Sequence, residues 1–157
     1  MKDKDLVKQL VEALLKEAAP TVKHEKLKKD LTEWAHKNGF TKAYRRFPDN
    51  SEPDVLRTDL KKMVLFVGDA KNSDYETVDN PDTISRIQKY FFQFATFLGK
   101  PYKGGILAIA TDNEEEAKKW VPILNTLAKV ARITSGTDSP NFKVIKLTGR
   151  KTWVVYW

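Results

Sequence analysis

The chain has 157 residues, 41% hydrophobic and 31% charged, a size and balance that suit one folded domain with a sizeable core and exclude a disordered polyelectrolyte. Its 28 Lys and Arg against 21 Asp and Glu give a formal charge of +7, which suits an anionic partner, nucleic acid or a membrane surface, although housekeeping proteins reach the same balance. With no cysteine and two histidines, disulfides and zinc centres built on thiolates or several imidazoles are excluded, so any metal would be held by oxygen, as magnesium and manganese are. No apolar run approaches membrane-spanning length, and a cytoplasmic protein without membrane contact is expected.

Residues 3–18 carry Leu6, Val7, Leu10, Val11, Leu14 and Leu15 at helical spacing, with Asp3 and Asp5 where the helix dipole favours acids. Pro20 is expected to stop this helix. Packing on the body is its ordinary use, and a homodimer contact is the competitor. Thr21 is the expected cap of a second helix to about Asn38, with Leu27, Leu31, Trp34 and Ala35 inward and a lysine-rich solvated face. His24 and His36 read as surface residues of that helix.

Phe40 to Phe47 reads as a strand, followed by a turn at Pro48-Asp49-Asn50. Strands follow near 53–59 and 63–71, joined at Leu60-Lys61-Lys62. Met63 to Val67 is apolar without alternation, the mark of a strand buried on both faces. Asn72 to Pro81 is an acidic loop without periodicity and reads as mobile; its acids lack EF-hand spacing. Asp82 is the expected cap of a helix ending at Gly99. Residues 104–111 form another buried strand, 114–132 a helix, and Phe142–Leu147 with Thr152–Trp157 a hairpin. Trp153, Tyr156 and Trp157 are read as packing residues rather than base-stacking ones.

The order ααβββαβαββ predicts an α/β fold with a mixed central sheet flanked by helices. A helix between the two apolar strands is a crossover, which implies that 63–71 and 104–111 run parallel.

The chemistry gathers in Pro53 to Lys71. If its two strands pair antiparallel, Asp54 at the start of one lies beside Asp69 at the end of the other. Asp69 and Lys71 are two apart and share a face, with Ala70 opposite. Two carboxylates and an ammonium together are costly unless a cation or an anionic substrate belongs there. Asp54, Asp69 and the main-chain carbonyl of Ala70 make a partial octahedral oxygen set for Mg²⁺, and Lys71 is placed to hold an attacking water or steady developing negative charge. The ordinary alternatives are an Asx turn at Asp54 and a weak surface ion pair between Asp69 and Lys71.

Pro53-Asp54 followed by Asp69-Ala70-Lys71 at the end of an apolar strand resembles the signature of the PD-(D/E)XK nuclease superfamily, which includes restriction endonucleases. The resemblance covers roughly residues 21–111 as an αβββαβ core, leaving 1–20 as an accessory helix and 112–157 as a C-terminal helix and hairpin of one nuclease-like domain. It implies a metal-dependent endonuclease acting on DNA, with Asp54 and Asp69 as ligands of Mg²⁺ (or Mn²⁺ in its place) and Lys71 as the catalytic lysine. It also implies an acid on the preceding helix, for which Glu25, Asp30 and Glu33 are the candidates, Asp30 bordering the buried face while Glu25 and Glu33 point outward. On the crossover helix Gln88 and Arg86 are candidate substrate contacts, and Arg45 and Arg46 are candidate phosphate contacts. The competing reading is a nuclease-like fold that binds nucleic acid or protein without cutting.

Overall fold

The computed structural model describes residues 2–133 and 140–157, with the side chains of its first helix described at 6–9 and from 22 onward. The described elements run α1 (Lys2–Lys37), β1 (Lys42–Ala43), β2 (Val55–Asp59), β3 (Val64–Lys71), α2 (Pro81–Phe97), β4 (Gly104–Thr111), α3 (Glu114–Val130), β5 (Lys143–Lys146) and β6 (Trp153–Tyr156). One six-stranded sheet has the order β1-β2-β3-β4-β6-β5. The class is α/β with a mixed sheet flanked by helices, as its sequence pattern predicts. β3 and β4 pair in parallel across α2, and the other neighbours are antiparallel.

Alternation along the central strands feeds two cores. Leu65, Val67, Leu107 and Ile109 point to the face covered by α2 and α3, where they meet Ile87, Phe91, Phe94, Trp120 and Leu124. Phe66, Ala108 and Ala110 point to the other face, against Leu31 and Ala35 of α1. Trp34 meets Phe66 and Tyr156 edge-on, with ring centroids 5.9 and 5.1 Å apart. Gly68 is small because α1 lies close: a Cβ there would stand 2.8 Å from Leu31 Cδ2. The fully buried Phe94 is one of several side chains that each stabilise the fold by roughly 2–3 kcal/mol.

Four expectations are corrected. The two N-terminal helices are one, because α1 runs unbroken from Lys2 to Lys37 through Pro20 and Thr21; a proline inside a helix removes one backbone hydrogen bond, and the helix continues past it here. Packing of the first turns on the body is not observed at Leu6 and Val7, which are 57% and 59% exposed; Leu10, Val11, Leu14 and Leu15 lie outside the described side chains. The strand expected over 40–47 shrinks to two residues. Phe40 is drawn into the α1 core and Phe47 into the opposite one, while the Phe47 N–H bonds back to Ser51 and bends the chain. Finally, α2 is capped by Asn80, whose side chain accepts from the Asp82 N–H at 3.0 Å. Pro81 at the first helical position lacks only an N–H that would be unpaired there anyway, so the helix starts ahead of Asp82.

Candidate active site

The register of β2 on β3 pairs Val55 with Gly68, and one step further brings Asp54 opposite Asp69. The two acids are tied reciprocally to backbone. The Asp54 N–H donates to Asp69 Oδ1 at 2.9 Å, and the Ala70 N–H donates to Asp54 Oδ2 at 2.8 Å. Alternation places Asp54, Asp69 and Lys71 on the face that carries Leu56 and Val67, while Ala70 faces the α1 core. Lys71 Nζ lies 2.6 Å from Asp69 Oδ2, and the lysine is only 1% exposed. An extended residue sends its N–H and C=O to the same edge, so the Ala70 carbonyl also faces the β2 side, past the end of that strand.

Two residues outside the predicted set complete the cluster. Glu76, in the acidic loop, receives Lys71 Nζ on Oε2 at 3.1 Å, and its Oε1 lies 3.2 Å from His24 Nδ1. His24 Nε2 lies 3.1 Å from Asp54 Oδ1. The contacts close a ring: Lys71, Asp69, Asp54, His24, Glu76 and back to Lys71. His24 is therefore not a bland surface residue of its helix, whereas His36 is exposed.

Nor is the loop read as mobile left untethered. The Ser73 N–H and hydroxyl both donate to Asp112, at 2.9 and 3.0 Å, and the Val78 N–H donates to Glu116 Oε1 at 2.8 Å. Lys23 pairs with Asp74 and Asp112 at 2.8 and 3.1 Å. These tethers hold Glu76 against the strand ends. A histidine on a lysine-rich helix face and a glutamate without periodic neighbours gave no sequence signal for this.

The ring separates the two aspartates electrostatically. Burial pushes the Asp69 carboxyl up to about 7 against the pull of Lys71, and the neighbouring Asp54 adds to the rise. Burial acts the same way on Asp54, yet the hydrogen bonds from His24, the contact with Asp69 and the Ala70 N–H hold it down at about 2. The hydrogen bonds to Asp54 and Glu76 raise His24 to about 10 despite its partial burial. Burial works against the Lys71 ammonium as well, but Asp69 and Glu76 keep its pKa above the ordinary lysine value. The cluster carries three acids against two cations, and Asp69 is the member whose charge is least well compensated.

The remaining candidates divide. Asp30 is buried, at 4% exposure, but away from the site: it accepts from Thr152 Oγ1 at 2.7 Å and pairs with Arg150. It anchors the C-terminal hairpin. Glu25 is exposed and takes no part in the ring, and Glu33 pairs with Arg150 at 2.7 Å, so none of the proposed helix acids reaches the site, and His24 is the residue α1 contributes. On α2, Gln88 is half-buried and forms no hydrogen bond among the described residues, while Arg86 is exposed. The α2 residue facing the acids is Tyr90, whose hydroxyl donates to the Glu52 carbonyl at 3.1 Å. Burial, with the charges of Asp69, Asp54 and Glu76, raises its pKa. Arg45 lies 3.5 Å from Glu52 and, with Lys28, lines a polar cavity of about 290 Å³ that opens onto Asp54. Arg46 lines a separate, apolar cavity.

Among the described residues no three His, Asp or Glu side chains stand grouped as a ready cation cage. Mg²⁺ asks for less, since it takes one or two carboxylates and fills its octahedron with water and phosphate oxygens. Each carboxylate oxygen has two acceptor positions, so Asp54 and Asp69 fit such an ion alongside their backbone bonds. His24 and Lys71 are the competitors for those oxygens. Comparison with protein-family models, with curated proteins and with solved structures finds no match to this chain.

Proposed function

We propose that the chain is a metal-dependent endonuclease of the PD-(D/E)XK type, hydrolysing DNA phosphodiester bonds in the cytoplasm. The observation that supports this best is the cross-tied pair Asp54 and Asp69 at adjacent strand ends, with Lys71 2.6 Å from Asp69 and a polar cavity lined by Lys28, Arg45 and Glu52 opening beside them. Asp54, Asp69 and the Ala70 carbonyl would hold Mg²⁺, or Mn²⁺ as its substitute. When bound, the ion supplies Lewis-acid polarisation of a phosphate and lowers the pKa of a bound water. Lys71 keeps a positive charge at the end of β3, where it stabilises negative charge developing on the phosphate or holds the attacking water. Lys28 and Arg45 offer charge to the phosphates flanking the cut. Tyr90 fixes the chain at Glu52, just before the Pro53-Asp54 step, and so positions Asp54.

Plasmid nicking in Mg²⁺, absent in EDTA, tests the proposal. Asp69→Asn and Lys71→Met are each expected to lower the rate by about 100-fold or more. Unchanged rates in both variants would refute it. A second reading is favoured by one observation: both acids already bear protein partners, His24 on Asp54 and Lys71 on Asp69. A binding module that keeps its acids internally neutralised would grip nucleic acid, show no heat on Mn²⁺ titration and leave plasmid intact.

A further inference from the structure

The face of the sheet that carries Asp54 also bears an apolar cavity of about 450 Å³ that the hydrolytic cluster does not use. Its walls are aromatic: Tyr44, Phe47, Phe97 and Tyr102, with the Phe47 and Phe97 rings 6.1 Å apart and nearly parallel at 11°. Arg46 lines it as well; the residue is exposed and forms no ion pair among the described residues. Protein interiors are close-packed, so an aromatic-walled opening of this size has the dimensions of a ligand site rather than of a packing fault.

One residue of the cavity's lining carries a buried, unsatisfied polar group. Thr58 lines the cavity, is 1% exposed, and its Oγ1 finds no hydrogen-bond partner among the described residues. A buried hydroxyl left unpaired is costly, and a ligand with a polar edge relieves that cost. Flat stacking faces, one hydroxyl that both donates and accepts, and a guanidinium together describe a planar heterocycle attached to a phosphate.

Its position relative to the acids says where that heterocycle comes from. Thr58 lies four residues along β2 from Asp54 on the same face, roughly 13 Å away at the rise of a strand. Tyr44 lines both this cavity and the polar one that opens onto Asp54 with Lys28 and Arg45. A backbone lying along Lys28 and Arg45 passes Tyr44 within the few nucleotides that a single-strand groove tracks.

We propose that this cavity is a nucleobase site: it takes one unstacked base of a single-stranded or locally opened nucleic acid, stacked on its aromatic walls and hydrogen-bonded to Thr58 Oγ1, with a phosphate at Arg46. The path of the strand rests on the nuclease reading above, but the cavity's own chemistry does not require hydrolysis. The test is fluorescence anisotropy in EDTA with a short labelled single-stranded oligodeoxynucleotide, intact or with abasic positions. Abasic strands are expected to bind about tenfold more weakly. Thr58→Val is expected to weaken the intact strand about fivefold and to leave the abasic strand unchanged. Tyr44→Ala, at the exposed rim, makes the same comparison should the buried variant fold poorly.

Deoxyadenosine monophosphate as competitor separates the two sources of the base. Displacement at the strand's own affinity assigns a free nucleotide, weaker displacement assigns a base carried on a strand, and either supports the site. Equal binding of intact and abasic strands, or displacement by deoxyribose phosphate as effective as by the nucleotide, would overturn it. Loss of base-dependent binding with cleavage intact removes this site alone. Base-dependent binding without cleavage removes only the nuclease reading.

Discussion

His24→Ala probes the ring by a change that has a pH signature. His24 bridges Asp54 Oδ1 at 3.1 Å and Glu76 Oε1 at 3.2 Å, and these partners raise its pKa from 6.5 to about 10. A histidine whose folded pKa lies above its unfolded value stabilises the fold fully below about 6.5, and that contribution is lost as pH rises through about 10. At about 1.4 kcal/mol per tenfold change in proton affinity the bridge would contribute about 5 kcal/mol. The imidazole is only half-buried, and solvent screening reduces this to about 1–2 kcal/mol. For a chain of this length that is a drop of about 4 °C in Tm at about pH 6. The gap between wild type and variant should narrow through about pH 10 and be nearly closed by about pH 11, where the imidazole is largely neutral in both states. The higher helix propensity of alanine is independent of pH and cancels in the comparison. Thermal melts of both proteins across this range are the assay. A Tm difference of the same size at both ends would mean that His24 contributes packing rather than charge, and the electrostatic account of the ring would be wrong.

Two other substitutions test the frame around the site. Thr152→Val removes the 2.7 Å hydrogen bond to the buried Asp30 and should cost about 1–3 kcal/mol by urea denaturation. Its plasmid-nicking rate should match wild type, because Asp30 serves the hairpin; a rate lowered tenfold would return Asp30 to the catalytic set. Gly105→Ala would set a Cβ 2.0 Å from the Leu65 carbonyl oxygen in the parallel β3–β4 pair. Backbone cannot yield as a flexible side chain does, so a loss of about 2–3 kcal/mol is expected; a variant that melts with wild type would show that the two strands sit further apart.

The centre of the site was legible in the chain because it is local. Asp69 and Lys71 share a face through strand alternation alone, and Asp54 meets Asp69 through a hairpin whose partners are fifteen residues apart. The parallel pairing of β3 and β4 followed from two apolar runs with a helix between them. The helical stripe of Leu27, Leu31 and Trp34 likewise placed Asp30 correctly at the border of the buried face. What Asp30 meets there is another matter: Arg150 and Thr152 lie 120 and 122 residues away, and they arrive because β6 returns to pair with β4. His24 reaches Asp54 across 30 residues and Glu76 across 52. That meeting depends on how α1 is rotated on the sheet, which Leu31 against Gly68 and Trp34 against Phe66 decide. Periodicity tells which face of a helix is buried, and alternation tells which side of a strand a residue takes. Neither tells which distant element arrives to meet that surface, so the two acids and the lysine could be read from sequence while the histidine, the glutamate and the aromatic cavity required the packed fold.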